Sequence, residues 1–256
     1  VAAFPFRIGA TSYVVPGDLV HNAEHLAGLV RDIELILFET ETGETNFPDA
    51  AVLERLRIAA EAHDLTYTVH LPCDLRSEPQ REHASIAQAK RVIALTAPLA
   101  PFAYVFHLES TGADAPGWAE QGIRAIDALI PCVAEPHRLA LENLENYAPE
   151  ALEPVFAARP IARALDIGHV WKMGRDPLPV MARWLPDARV VHLHGCIDRD
   201  GARCDHVALD RMDARLLDPV IAALRAWHGV LTLEVFEPDY PASRAAFDAA
   251  WARVTA

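Results

Sequence analysis

Acids and imidazoles recur where short apolar runs end: Glu39, His70, His107, Glu142, Asp166, His169, His192, His194 and Glu234. Taken singly, each has a bland explanation, such as a strand-end histidine satisfied by backbone or a solvated glutamate. Jointly the bland explanation fails. Seven of eight apolar runs close this way, and so many acceptors gathered in apolar surroundings repel one another unless cations sit among them. Imidazoles and carboxylates with no cysteine in the set suit zinc, manganese or iron. Glu142 is the natural bridge between two ions, because it falls between the earlier histidines and the later ligands. Two ions held about 3.5–4 Å apart activate water and clamp a phosphoryl oxygen, which is the chemistry of phosphoester hydrolysis.

The elements that must position these residues are legible as β-type runs. They are RIGATS (7–12), IELILFE (33–39), YTVHLP (67–72), YVFHLE (104–109), LALENL (139–144), ALDIGH (164–169), VVHLHG (190–195) and VLTLEVF (230–236). Helical periodicity fills nearly every gap. Over 49–63, Val52, Leu53, Leu56 and Ala60 fall near one face, and Pro48 with Asp49 supplies a start. Helices are also predicted over 219–227 and 243–254. Eight strands alternating with helices in about 250 residues predict an α/β fold, a (β/α)8 TIM barrel forming a single domain over 1–256. In such a barrel the site lies at the C-terminal strand ends. Side-chain alternation puts His192 with His194, and Thr232 with Glu234, on shared faces. The segment 110–117 is expected to be a loop above the barrel.

Composition narrows the classes further. A net charge of −13 and the lack of a basic cluster argue against a nucleic-acid partner. No apolar run approaches a membrane span, and the start, VAAFPFRIG, lacks a leader pattern, so a soluble, cytoplasmic protein is expected. Cys73, Cys132, Cys196 and Cys204 show no Cys-x-x-Cys spacing and are expected to be buried or incidental thiols. No glycine-rich nucleotide loop or serine elbow is present, and Lys90 and Lys172, the only lysines, sit outside the strands. The tract DRDGARCDH (198–206) reads equally as a solvated loop or as a ligand loop. In the second case Asp205 and His206 complete a site with His169, and Arg199 or Arg203 meets substrate phosphate. Trp171 is either loop packing or a substrate platform, and Glu39 and His194 are candidates for supporting or substrate contacts.

On Asp-Ile-Gly-His (Asp166, His169), His70, His107, Glu142, His192 and Glu234, the chain resembles the endonuclease IV and xylose isomerase-like barrel superfamily. The resemblance implies one metal site of Glu142, Asp166, His192 and Glu234, and an additional pair, His70 and His107, matching the phosphodiester-cleaving branch. That branch has a spaced Asp-x-His pair where this chain has adjacent Asp205 and His206. Over nearly the full length the segments FPFRIGATSYVVPGDLVHN, DIELILFE, LTYTVHLPCDLR, PFAYVFHLE, LENLE, LDIGHVWKMG, VVHLHG and GVLTLEVFE are similar to the cobamide-remodelling phosphodiesterases of the CbiR family. That likeness implies hydrolysis of the nucleotide-loop phosphodiester of a corrinoid substrate, giving cobinamide phosphate and the lower-ligand nucleoside. The expected cofactors are two or three divalent ions, zinc, manganese or iron. His70 and His107 would hold one, Asp166, His192 and Glu234 another, with Glu142 between them, while His169 and His206 would ligate a third or touch phosphate. Glu142, Glu234 and His169 are the expected catalytic groups. The segment 11–22 and the loops after strands two to four would grip the bulky ligand. The rivals are a one-metal isomerase or epimerase using Glu142 and Glu234 as proton-transfer carboxylates, and a non-catalytic corrinoid-binding module.

Overall fold

The computed structural model describes residues 4–40, 42–77, 82–113 and 115–256. Eight parallel strands close into a barrel. They are β1 (Arg7–Thr11), β2 (Asp32–Ile36), β3 (Thr66–His70), β4 (Tyr104–Phe106), β5 (Leu139–Glu142), β6 (Ala162–Asp166), β7 (Ala188–Leu193) and β10 (Val230–Leu233), each expected from the sequence. The remaining strands, β8 (Gly195–Arg199) and β9 (Ala202–Val207), form an antiparallel hairpin outside the barrel.

Helices on the outside bury the apolar faces of the strands. They are α1 (Leu19–Leu26), α2 (Ala50–His63), α3 (Ala84–Thr96), α4 (Trp118–Leu129), α5 (Glu153–Ala158), α6 (Ile167–Lys172), α7 (Leu178–Trp184), α8 (Ala214–Ala223) and α9 (Asp239–Thr255). Asp49 caps α2 as expected, its side chain accepting from Val52 N. The helix predicted from Pro219 instead starts at Ala214, because Asp213 caps it by accepting from Arg215 N; Pro219 lies inside α8. The last helix is longer than expected and begins at Asp239.

Alternation along the strands separates two interiors. Ile33, Leu35, Val69, Leu141, Leu165, Val191, Leu193, Leu231 and Leu233 belong to the main core, which includes the helix residues. A smaller cluster of Ala103, Val105, Ala140, Ala162, Ala164 and Val190 lies on the same strand faces as Glu142, Asp166 and His192. Strand register then fixes the level of the chemistry. Asp166 pairs with His192 and His192 with Thr232, while Ile36 pairs with His70 and His70 with Val105.

The tract 198–206 is mostly hairpin, not loop. Its turn, Asp200-Gly201, has positive φ at both residues (52° and 80°), the geometry that an Asp-Gly hairpin turn favours. The loop expected at 110–117 lies after β4, with residue 114 outside the described residues, as are residues 1–3 of the start. The four cysteines are free, with Cys132 exposed and the others half-buried, so of the two expectations, buried or incidental thiols, none of the four is fully buried. Among the described residues no helix is long and apolar enough to cross a membrane.

Candidate metal centre

Glu142, the last residue of β5, is 1% exposed and divides its carboxylate between two groups of ligands. Its Oε2 lies 2.9 Å from His107 Nε2 and 3.5 Å from His70 Nε2. Its Oε1 lies 3.0 Å from His192 Nδ1, and that same nitrogen is 3.4 Å from Glu234 Oε2 and 3.9 Å from Asp166 Oδ2. Two compact groups therefore share Glu142: His70 with His107, and Asp166 with His192 and Glu234. In each, the potential ligand atoms lie within 4.8 Å of one another.

Each imidazole is held by its other nitrogen, as metal-binding histidines are. His70 Nδ1 lies 3.1 Å from Leu71 O, and His107 Nδ1 is 3.2 Å from Asp74 Oδ1. His192 turns Nε2 to Glu34, 3.1 Å from Oε1. Asp166 also works twice. Its Oδ1 caps α6 by accepting from His169 N at 2.6 Å, while Oδ2 accepts from His194 Nε2 at 3.1 Å. Asn143 ties β5 to β6 by exchanging hydrogen bonds with Asp166: its Nδ2 donates to Asp166 O (2.9 Å) and its Oδ1 accepts from Asp166 N (3.0 Å).

The electrostatics ask for cations. Burial raises the carboxyl of Glu142, but the neighbouring charges of His192 and His107 outweigh it and hold the group well below the ordinary range. The same burial, reinforced by Glu142 and Asp166, pushes Glu234 up, and Glu234 Oε2 is buried with no hydrogen-bond partner among the described residues. Burial depresses His107, yet Glu142 and Asp74 carry it up to about 10; His192 is likewise raised well above its usual value. In the absence of metal these acids must be balanced by protons on imidazoles. An orphaned carboxylate oxygen amid oxygen and nitrogen donors fits a divalent ion.

A third group, His169, His194 and His206, lies beside the second. The rings of His194 and His206 stack with centroids 4.0 Å apart. Gly168 is required here, since a Cβ on it would collide with the His194 ring. His169 Nδ1 donates to Asn143 O at 3.0 Å and His206 Nδ1 to Glu234 O at 3.1 Å.

The other expected site residues go elsewhere. Glu39 lies beyond the end of β2, which stops at Ile36, and pairs with Arg91 and Gln88 on the flank of the mouth. Arg199 is exposed at the hairpin turn. Arg203 donates to Trp171 O at 2.8 Å and pairs with Asp198, and the Trp171 side chain is buried. Asp205 points to Lys172, 2.8 Å away. Glu34 and Asn143 join the site without having been expected there. The signal for Glu34 is an acid alternating with Ile33 and Leu35, masked because the apolar run continues to Glu39.

A family model described as xylose isomerase-like TIM barrel matches residues 28–254. The chain belongs to that family. A D-tagatose 3-epimerase-like protein superposes on this xylose isomerase-like barrel with a TM-score of 0.76 at 16% identity, covering 98% of each chain. Endonuclease IV from Thermus thermophilus gives 0.69 at 20% identity, covering 96% of this chain and 99% of its own. The IOLI protein, solved with a zinc atom, gives 0.67 at 15% identity, covering 98% and 95%. No curated protein sequence matches the chain. The family thus spans epimerases, isomerases and the metal-dependent hydrolase endonuclease IV.

Proposed function

We propose that this barrel is a metal-dependent phosphodiesterase that hydrolyses the nucleotide-loop phosphodiester of cobamides, releasing cobinamide phosphate and the lower-ligand nucleoside. One observation carries the hydrolytic reading. The Glu142 carboxylate faces the His70 and His107 pair with one oxygen and the Asp166, His192 and Glu234 group with the other. A single-ion isomerase has no use for the first group. Divalent ions, when bound, would supply charge for the phosphoryl oxygens and activate water. Glu142 and Glu234 then orient the water from one side, and His169 holds the proton that the leaving oxygen needs.

The corrinoid reading rests on the sequence resemblance, and the rim of the mouth supports it. Phe38 beyond β2 and Phe236 beyond β10 are exposed at 38% and 48%, two separate apolar side chains past strand ends that a large ring with hydrophobic faces could cover. The chain's net charge of −13 disfavours DNA as the phosphodiester.

Incubating the metal-loaded protein with cobalamin, followed by chromatography and mass spectrometry, should show both products. Glu142→Ala should abolish metal loading and turnover together. Cobalamin returned intact by protein carrying two ions would refute the activity and leave a corrinoid-binding module. One observation favours the isomerase reading as the alternative: Glu142, Asp166, His192 and Glu234 make a complete ligand group by themselves. A stoichiometry of one ion per chain would select it.

A further inference from the structure

Beside the third histidine group lies a lysine, and its position decides how many ions the mouth can take. We infer that the Lys172 ammonium occupies the place of a third cation, so that the chain holds two metal ions and His169, His194 and His206 hold none. The inference rests on the metal-centre reading above but not on the identity of the substrate.

His194 is unavailable as a ligand. A carboxylate only accepts, so His194 Nε2, 3.1 Å from Asp166 Oδ2, carries a proton there. Its Nδ1 is engaged by backbone, 3.0 Å from His206 N and 3.3 Å from Gly195 O. His169 and His206 are then left as two imidazoles with no third to complete the group. The acids that could complete a coordination shell are Glu145, whose Oε2 is 3.7 Å from His169 Nε2, and Asp205, next to His206 in the chain. Lys172 spans both. Its Nζ lies 3.1 Å from Glu145 Oε1 and 2.8 Å from Asp205 Oδ2. Both carboxyls are accordingly held below their usual range: burial raises them, and the hydrogen bond from Lys172 is among the forces that bring them down.

An ammonium and a divalent ion differ in what they offer. Lysine supplies a fixed charge and directed donors, but no open coordination position to activate water. The hydrolytic work therefore stays with the two groups that share Glu142, and His169 Nε2 remains available for proton transfer.

The test is metal stoichiometry, which needs no substrate. Wild-type protein saturated with zinc and freed of loose metal should carry two ions per chain by elemental analysis. Lys172→Met keeps the alkyl stem and removes the charge; it releases Glu145 and Asp205 and should gain one ion, bringing the count to three. An unchanged count in a folded Lys172→Met variant would overturn the inference. So would an anomalous-scattering peak within bonding distance of His169 and His206 in the wild type, a measurement that stands even if the variant fails to fold. A wild type binding fewer than two ions would refute the two-ion centre, whereas the gain of one ion in the variant would still support the role of Lys172.

Discussion

Glu34 sits at the centre of the barrel with no exposure, and its carboxylate faces the nitrogen of His192 that does not point to the metal groups. Burying that charge is tolerable because His192 pairs with it and lowers its pKa, against the upward push of burial. The pair also settles which nitrogen of His192 would be left to an ion. With Nε2–H donated to Glu34, Nδ1 is the nitrogen left facing Glu142, Glu234 and Asp166; it donates a proton to Glu142 Oε1 in the absence of metal and would give its lone pair to an ion in that proton's place. Glu34→Gln keeps the shape and an acceptor but removes the charge that sharpens the imidazole. Zinc affinity at the four-ligand group should fall by about 10–100-fold. Competition with a chromophoric chelator measures it, and an unchanged affinity would show that Glu34 merely fills space. Residue types are the most legible layer of this sequence. His70, His107, Glu142, Asp166, His192 and Glu234 converge as their strand-end positions imply, because a closed parallel barrel brings all strand ends to one rim. Arg199, Arg203 and Trp171 do not converge, since a hairpin that strand alternation cannot reveal carries the arginines outward.

At the scale of elements, the β6–α6 turn does the most positioning in the fewest residues. Asp166 ends the strand, caps the helix and keeps one oxygen for the site; three residues on, His169 returns to the same mouth. Between them Gly168 leaves room for the His194 ring, against which Asp166 Oδ2 is braced. Gly168→Ala would drive a methyl into that ring. Overpacking of this kind costs about 1–3 kcal/mol, and the displaced His194 would release Asp166. The expected result is a lower melting temperature together with weaker metal binding. A variant matching the wild type in both would mean that the ring has another place to go. The sequence displays the Asp-Ile-Gly-His order but not the reason for its glycine, because the partner that excludes a side chain, His194, is distant in the chain and follows the end of β7. The hairpin carries a local signal of its own. Asp200-Gly201 is a strong two-residue turn pair, obscured because charged Asp198 and Arg199 precede it and the alternation after it rests on small Ala202 and Cys204 between Arg203 and Asp205. Helix α8 misleads for the opposite reason, since Pro219 looks like a start and is tolerated in the interior.

For the whole molecule, the barrel follows from the alternation of eight apolar runs with amphipathic segments, while the balance of charge inside it depends on distances that no linear pattern contains. Glu34, Glu142 and Asp166 are buried beside His192, His107 and His194, and the last two are pushed up to about 10 and about 9. Without metal, protons on these imidazoles supply the positive charge. A histidine whose folded pKa is raised contributes stability that is fully present below its unfolded value of about 6.5 and is lost as pH rises through the folded value. The metal-free protein should therefore melt at progressively lower temperature from about pH 6.5 to about pH 10, the upper limit set by His107. Divalent ions, when bound, would replace those protons. The loaded protein should keep its melting temperature over this alkaline range and lose it toward acid, where protons compete for the ligands. Each site filled to about 100 times its dissociation constant adds about 2.7 kcal/mol. At about 2–4 °C per kcal/mol for a chain near this size, chelation at about pH 8 should lower the melting temperature by several degrees per ion. Scanning calorimetry from about pH 6 to 10, with zinc and with chelator, separates the two curves. If they coincide and run parallel, cations do not neutralise the buried acids, and both the hydrolytic reading and the place assigned to Lys172 lose their physical basis.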